Sequence, residues 1–253
     1  MHFKVLLVAW FLLNSPLLPA AQQGMPFTPK ADLVGSWAFT HNPALPDVLI
    51  IGDSISIAYT RQVRELFQGR ANVHRPMSAD GFKPANCGDT RMGLAGLDAW
   101  LAGRQWRVIH FNWGLWDLCY RNPSSETYGN RDKINGNLSV PLDEYGRNLE
   151  QLVVRLKKTG AILVWASTTV VPEAEPGRFA GDEIKYNHVA AMIMVRHNVL
   201  VDDLHALTAA LPHEDFRAPA DVHYTDKGSA KLARQVATQI DRALAQPLST
   251  SKP

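Results

Sequence analysis

The chain has 253 residues, 46% of them hydrophobic and 20% charged, with 17 Gly and 16 Pro, a balance that excludes a disordered, collagenous or coiled-coil protein. Its 26 basic and 24 acidic side chains leave a formal net charge of +2, too small a surplus to argue for nucleic acid or an anionic membrane surface as a partner. Two Cys are too few for a disulfide scaffold or a Cys-ligated zinc site, and the length fits one α/β domain with a sizeable core.

In chain order, His2 and Lys4 precede an apolar run over 5–13, then Ser15, Pro16 and the small pair Ala20-Ala21. A short basic start, a short apolar core and small residues at its end have the form of a secretory signal peptide. The run is shorter than the roughly 20 residues that a membrane-spanning helix needs. The expectation is export to the periplasm or beyond, with cleavage after Ala20 or Ala21 and no stable membrane insertion afterwards. A buried N-terminal helix and an uncleaved anchor are the alternatives. Residues 22–46 are Pro-rich and aperiodic, a lead-in to a domain over 47–246 that leaves 247–253 as a tail.

Residues 47–52, Asp-Val-Leu-Ile-Ile-Gly, form a continuous apolar run ending in Gly, as a strand buried on both faces does. Apolar residues at helical spacing follow over 57–67. The alternation recurs, with strands predicted over 107–113, 161–167 and 199–203 and helices over 142–158, 182–197 and 226–244. Weaker signals place a short strand at 71–74 and a helix at 91–101. Alternating strands and helices imply a parallel sheet covered on both faces, with ligands bound beyond the carboxyl ends of its strands. Residues 121–140 show neither period, and a loop of that length inside a compact domain is expected to act as a lid or binding loop.

The first strand stops at Gly52-Asp53-Ser54-Ile55-Ser56. A Ser at such a strand-to-helix turn sits at the carboxyl edge of the sheet, beside free N–H groups that favour an anion; it is equally well placed to be a plain helix cap. No Gly-Lys-Ser/Thr follows, so this is not a phosphate loop, and a flavodoxin-like nucleotide binder is disfavoured. The Gly-x-Ser-x-Gly elbow is absent too. Near the other end, Asp221-Val222-His223-Tyr224-Thr225 precedes the last helix, so His223 reaches the same edge. A His can take a Ser proton at neutral pH, and an adjacent carboxylate can hold its useful tautomer. The other His are expected to be surface or satisfied core residues, His110 being a core residue on its strand.

These blocks resemble the SGNH hydrolases, the GDSL-type esterases and lipases, in the right order over residues 47–244. Gly52-Asp53-Ser54-Ile55 matches the first block, with Ile for the usual Leu, and Ser54 stands at its nucleophile. Asn86-Cys87-Gly88 matches the second, whose Gly N–H enters the oxyanion hole. Gly114-Leu115-Trp116-Asp117 stands where Gly-x-Asn-Asp is usual, and Asp221 and His223 stand where Asp-x-x-His is usual. The resemblance implies a flavodoxin-like three-layer α/β/α sandwich around a central parallel sheet of about five strands. It also implies ester hydrolysis through an acyl-enzyme with no metal and no organic cofactor. Ser54 would attack, His223 would carry the proton and Asp221 would orient it, with Ser54 N–H and Gly88 N–H as the oxyanion hole. Asp53 and Asp117 are read as structural residues beside the site.

Two departures follow from the pattern. Trp116 replaces the Asn that would donate a third oxyanion hydrogen bond, so either its indole N–H substitutes, or Asn112 or Asn86 does, or the ring merely packs. The acid-to-His spacing is one residue short. Residues i and i+2 of an extended segment share a side, so Asp221 can reach His223, with a dyad lacking an acid, or Asp215 or Glu214, as alternatives.

Cys87 and Cys119 lie in two site loops of an exported chain and are expected to form a disulfide, with two free buried thiols as the alternative. Trp113, Trp116, Tyr120, Tyr128 and Tyr224 cluster in or beside the site loops, where aromatic faces can stack on sugar rings or simply pack. The expected substrate is therefore a small-molecule or oligosaccharide ester, most naturally an acetyl ester on carbohydrate. The alternatives are a short-chain lipid or lysophospholipid esterase and a non-catalytic carbohydrate-binding relative. Oligomeric state is not legible in the sequence.

Overall fold

The computed structural model describes residues 37–247; the expected signal peptide, most of the lead-in and most of the tail fall outside them. Five strands form one parallel sheet, interleaved with helices: β1 (Asp47–Ile51), α1 (Ser54–Leu66), β2 (Asn72–His74), α2 (Thr90–Leu101) and β3 (Val108–Phe111) come first. A short antiparallel pair, β4 (Tyr120–Arg121) and β5 (Asn137–Leu138), precedes α3 (Leu142–Lys157), β6 (Ile162–Ala166), α4 (Asp182–His197), β7 (Leu200–Asp202), α5 (Leu204–Ala209) and α6 (Asp226–Leu244). The sheet order is β2-β1-β3-β6-β7, with Val48 beside Val108, Val108 beside Ile162 and Val164 beside Leu200. Helices α1 and α6 pack together on one face, while α2, α3 and α4 pack in sequence on the other. This is the expected three-layer sandwich. No described helix is long and apolar enough to cross a membrane.

The inner strands are mostly apolar because water reaches neither face. Val48, Leu49, Ile50 and Ile51 are all buried, as are Val108, Ile109 and Phe111. The helices instead carry apolar residues on one side; in α3 Tyr145, Leu149, Leu152, Val153 and Leu156 face the core. His110 lies in the core as expected, its Nε2 2.9 Å from Asp202 Oδ2, both side chains fully buried.

Three local readings change. Helix α1 begins at Ser54, three residues before the apolar period, because Asp53 caps it by accepting a hydrogen bond from Ile55 N–H; a capping carboxylate sets a helix start that hydrophobic spacing cannot show. Residues 204–209 form the short helix α5, capped by Asp203. The aperiodic stretch 121–140 is a compact folded hairpin, with Tyr120 opposite Leu138 and Arg121 opposite Asn137. Polar turn bonds organise it: Asp132 accepts N–H groups from Ile134 and Asn135. Such bonds leave no hydrophobic period.

Candidate active site

The chain winds from β1 to β2 on one side and to β3 on the other, so the carboxyl end of β1 lies at the topological switch point, where ligands bind in open α/β sheets. Ser54 is the first residue of α1 and is partly exposed there. Its N–H is one of the donors that no helical carbonyl can reach, and no partner for it is found among the described residues. Gly52 is required by close approach: a Cβ there would lie 2.9 Å from Ser56 Oγ.

His223 and Asp221 reach the same point from the segment before α6. That segment is extended and doubled back, with Phe216 bridged to Tyr224 and Arg217 N–H donating to the His223 carbonyl at 2.9 Å. Alternation then sends Val222 and Tyr224 into the core and leaves Asp221 and His223 on the site side. Ser54 Oγ lies 2.9 Å from His223 Nε2, and His223 Nδ1 lies 2.5 Å from Asp221 Oδ1. The carboxylate can only accept, so Nδ1 carries the proton and Nε2 presents its lone pair to the Ser54 hydroxyl. Asp221 also accepts the His223 backbone N–H at 3.1 Å. Burial alone would raise the Asp221 carboxyl, but its hydrogen bonds to the His223 side chain and N–H and the charges of His223 and Arg217 hold it below the ordinary carboxylate range.

The other acids near this segment are otherwise engaged. Asp215 is fully buried and paired with Lys231, while its carbonyl receives Thr225 N–H at the start of α6. Glu214 is exposed, 3.6 Å from Lys227. Asp53 caps α1 from beneath Ser54; burial pushes its carboxyl up, opposed by the Ile55 N–H and by the charges of Arg178, His223 and Arg75.

The second loop, residues 85–88, passes directly beside the end of β1, where Cys87 N–H donates to the Gly52 carbonyl at 3.3 Å. Gly88 has a left-handed backbone, φ +58°, and a Cβ there would lie 2.2 Å from Met92 Sδ, so only Gly fits. Its N–H donates to Asn86 Oδ1 at 3.0 Å. That bond orients the Asn86 carboxamide, leaving its NH2 group available as a donor.

Asn112, at the end of β3, donates its amide to the Ala166 carbonyl at 2.7 Å and so ties β3 to β6. The Trp116 ring lies in the following turn with the Arg121 guanidinium 4.6 Å above its centre. Asp117 accepts both the N–H and the hydroxyl of Thr90, at 2.9 and 2.6 Å, fastening the start of α2 to the Trp116 loop.

Burial pushes the Asp117 carboxyl up to about 7, against the pull of those Thr90 hydrogen bonds. The folded chain therefore holds a proton that an unfolded Asp, at about 3.9, releases. Stability is highest below about pH 4 on this account and falls as pH rises toward about 7. Asp117→Asn, which cannot ionise, is expected to flatten that part of the profile. Thermal melts of both proteins across this window check it, and equal slopes would remove Asp117 as the cause.

The expected disulfide does not form: Cys87 and Cys119 are both free and buried. Their loops share the site but their side chains do not share a pocket. Cys87 lies in the Arg75 and Gly52 environment at the end of β1, whereas Cys119 packs beneath the hairpin, its Sγ 3.1 Å from where a Cβ on Gly177 would stand. Burial raises the Cys87 thiol to about 11, so it behaves as a small apolar group. Two thiols are expected to titrate in the denatured protein, and a reductant should leave its melting temperature unchanged. A shift on reduction would restore the bridge.

The loops are clamped by groups that the motifs do not include. Arg75 is buried and donates to the Gly52 and Ala85 carbonyls at 3.3 and 2.9 Å and to Thr60 Oγ1 at 3.1 Å, joining β1, α1 and the Gly88 loop. Trp113 is core rather than surface, and its indole N–H donates to the Cys87 carbonyl at 3.3 Å. Buried Arg178 donates to the Leu115 carbonyl at 2.6 Å and to Glu175 at 2.7 Å, while Glu175 also accepts from Arg131. An Arg directly after a strand, and a Pro-Gly-Arg turn before a helix, were the available signals; neither marks burial by itself.

No family model matches the sequence, and no curated protein matches it. Solved structures do. A lipase/acylhydrolase from Enterococcus faecalis superposes with a TM-score of 0.61 at 16% identity, covering 83% of this chain and 100% of that one. An acetyl xylan esterase, AlAXEase, gives 0.60 at 13% identity, covering 77% of this chain and 99% of its own. The acetylxylan esterase Axe2 from Geobacillus stearothermophilus gives 0.58 at 18% identity, covering 82% and 97%. At these identities the likeness is one of architecture. The five-stranded parallel sheet and its flanking helices are those of the SGNH-hydrolase fold that the sequence blocks resemble, and this chain is built on that fold.

Proposed function

We propose that the protein is a serine esterase that hydrolyses short acyl esters, acetyl esters of carbohydrate foremost, through an acyl-enzyme. The observation that carries this reading is the unbroken chain from Ser54 Oγ through His223 to Asp221, at 2.9 and 2.5 Å, at the carboxyl edge of the sheet. Ser54 attacks the ester carbonyl carbon while its proton passes to His223 Nε2. Asp221 holds the ring in that tautomer and stabilises the imidazolium. The tetrahedral oxyanion is met by the free Ser54 N–H and by the Asn86 side-chain amide. His223 then gives its proton to the departing alcohol, and water, deprotonated by the same Nε2, releases the acid and restores Ser54.

We assign Asn86 as the second donor in preference to Gly88 and Asn112, because the Gly88 N–H is bonded to Asn86 Oδ1 and the Asn112 amide is drawn to Ala166. Asn86→Ala is expected to lower turnover by about 10²–10³, the usual effect of losing one oxyanion donor. Unchanged or raised turnover would mean that Asn86 only caps Gly88 and that the Gly88 N–H does the work.

Carbohydrate is supported by two observations. Two of the structural neighbours are acetyl xylan esterases, and Tyr128, Phe82 and Phe179 present exposed aromatic rings, available for stacking on sugar. Of the aromatics singled out in the sequence, Trp113 and Tyr224 are buried and do not contribute. Export after signal cleavage fits such a substrate and belongs to the same proposal. A fluorophosphonate probe should label Ser54, and acetylated xylo-oligosaccharides should be turned over faster than p-nitrophenyl esters longer than butyrate. No labelling would favour a non-catalytic sugar-binding protein. A preference for longer acyl chains would favour a lipid esterase.

A further inference from the structure

The opposite end of β1 carries a second constellation, away from Ser54. Asp47 opens the strand with its side chain only 13% exposed. Its Oδ1 receives His41 Nε2 at 3.0 Å, His74 Nε2 at 3.1 Å and Asn72 Nδ2 at 2.9 Å, while Arg104 Nη1 lies 3.3 Å from Oδ2. One ring nitrogen of each His and one Asp47 carboxylate oxygen all lie within 4.8 Å of one another. Three N–H donors on one carboxylate oxygen exceed its lone pairs. If the imidazoles instead present lone pairs, the same convergence is a donor set of two nitrogens and one oxygen.

We propose that His41, Asp47 and His74 bind one divalent ion of the zinc class, with water completing the coordination. Zinc takes imidazole and carboxylate donors at about 2.0–2.2 Å in tetrahedral geometry, which sets donor atoms roughly 3.3 Å apart. The two nitrogen–oxygen separations here, 3.0 and 3.1 Å, need to open by only a few tenths of an ångström. The supporting contacts that metal ligands require are present. Asn72 holds the Asp47 carboxylate, and the His74 ring is fixed edge-on between Phe39 and Trp106 at 4.9 and 5.2 Å. Arg104, charged and close to Oδ2, opposes the cation and limits its affinity without blocking Oδ1.

The ion acts as a clip. His41 belongs to the segment before β1, and His74 ends β2, the edge strand of the sheet. The same segment is already held at its start, where Arg64 donates to the Trp37 carbonyl at 2.7 Å and lies over the Phe39 ring. It is also tied to β2 through Asn42, whose N–H donates to Asn72 Oδ1 and whose carbonyl accepts from Asn72 Nδ2, both at 2.9 Å, and an ion at His41 adds a further anchor there. At about 3.3 Å per residue, the length of β1 keeps this ion remote from Ser54, so ester hydrolysis does not depend on it. The proposed ion thus concerns the fold and not the reaction.

The test strips the purified protein with a chelator and titrates it with zinc(II). One ion per chain by elemental analysis is expected, with a rise in melting temperature at saturation and visible absorption typical of four-coordinate cobalt(II) when cobalt is used instead. His41→Ala, at a residue partly open to solvent, should fold, weaken zinc binding by at least about tenfold and abolish the thermal shift, with p-nitrophenyl acetate hydrolysis unchanged. His74→Gln serves as a second ligand variant with the same expected loss. A chelated protein that takes up no zinc, or binding that survives both substitutions, would overturn the site.

Discussion

Replacing Ser54 with Ala is expected to leave a folded protein whose esterase activity falls by about 10⁶, the scale on which removing a serine nucleophile acts. The fold should tolerate the change because Ser54 is not the residue that caps α1; Asp53 is, through the Ile55 N–H. The hydroxyl's one side-chain partner is His223 Nε2, so its loss leaves no buried polar group stranded. Burst kinetics on p-nitrophenyl acetate, with circular dichroism to confirm folding, measure both sides of the claim. Full activity in the variant would mean that the chemistry lies elsewhere.

The second large effect is expected at Asp221. Asp221→Asn should lower turnover by about 10⁴ while leaving substrate affinity nearly unchanged. An amide presents N–H or C=O to Nδ1, and either way the imidazolium that forms during attack loses its counter-charge. Because the Asp221 carboxyl sits below the ordinary range, the wild-type orienting charge should persist well below neutral pH. A loss of less than tenfold would return the Ser–His dyad reading, since Asp215 is committed to Lys231 and Glu214 to solvent.

Both experiments bear on a division of labour in the site. The groups proposed to react stand on elements the sheet positions directly, at the start of α1 and on the doubled-back segment before α6. Groups that hold the loops are buried arginines and an indole. Arg75 joins the ends of β1 and β2 to the Gly88 loop, and Trp113 braces that loop from β3. The rigidity expected of a disulfide is thus supplied by hydrogen bonds to carbonyls, each shielded from competing water.

The sequence by itself determined the sheet, because strands buried on both faces must be largely apolar, as Val48–Ile51 is throughout and Val108–Phe111 is apart from His110. It also placed Ser54, Asp221 and His223 at one edge, since a parallel sheet brings every strand-to-helix turn to the same side and alternation puts residues 221 and 223 on one face. What it could not show depends on which distant surfaces meet. Cys87 and Cys119 lie in loops that share an edge, yet their thiols enter different pockets. Gly88 stands where the second block's glycine does, yet its N–H is bonded to a side chain two residues earlier. His41, Asp47 and His74 are scattered singly along the chain and converge only because β2 pairs beside β1, with Asp47 against Asn72 and Leu49 against His74. Periodicity and motif order record how a segment faces the core; side-chain direction across non-adjacent segments is set by packing alone, and only the folded molecule decides it.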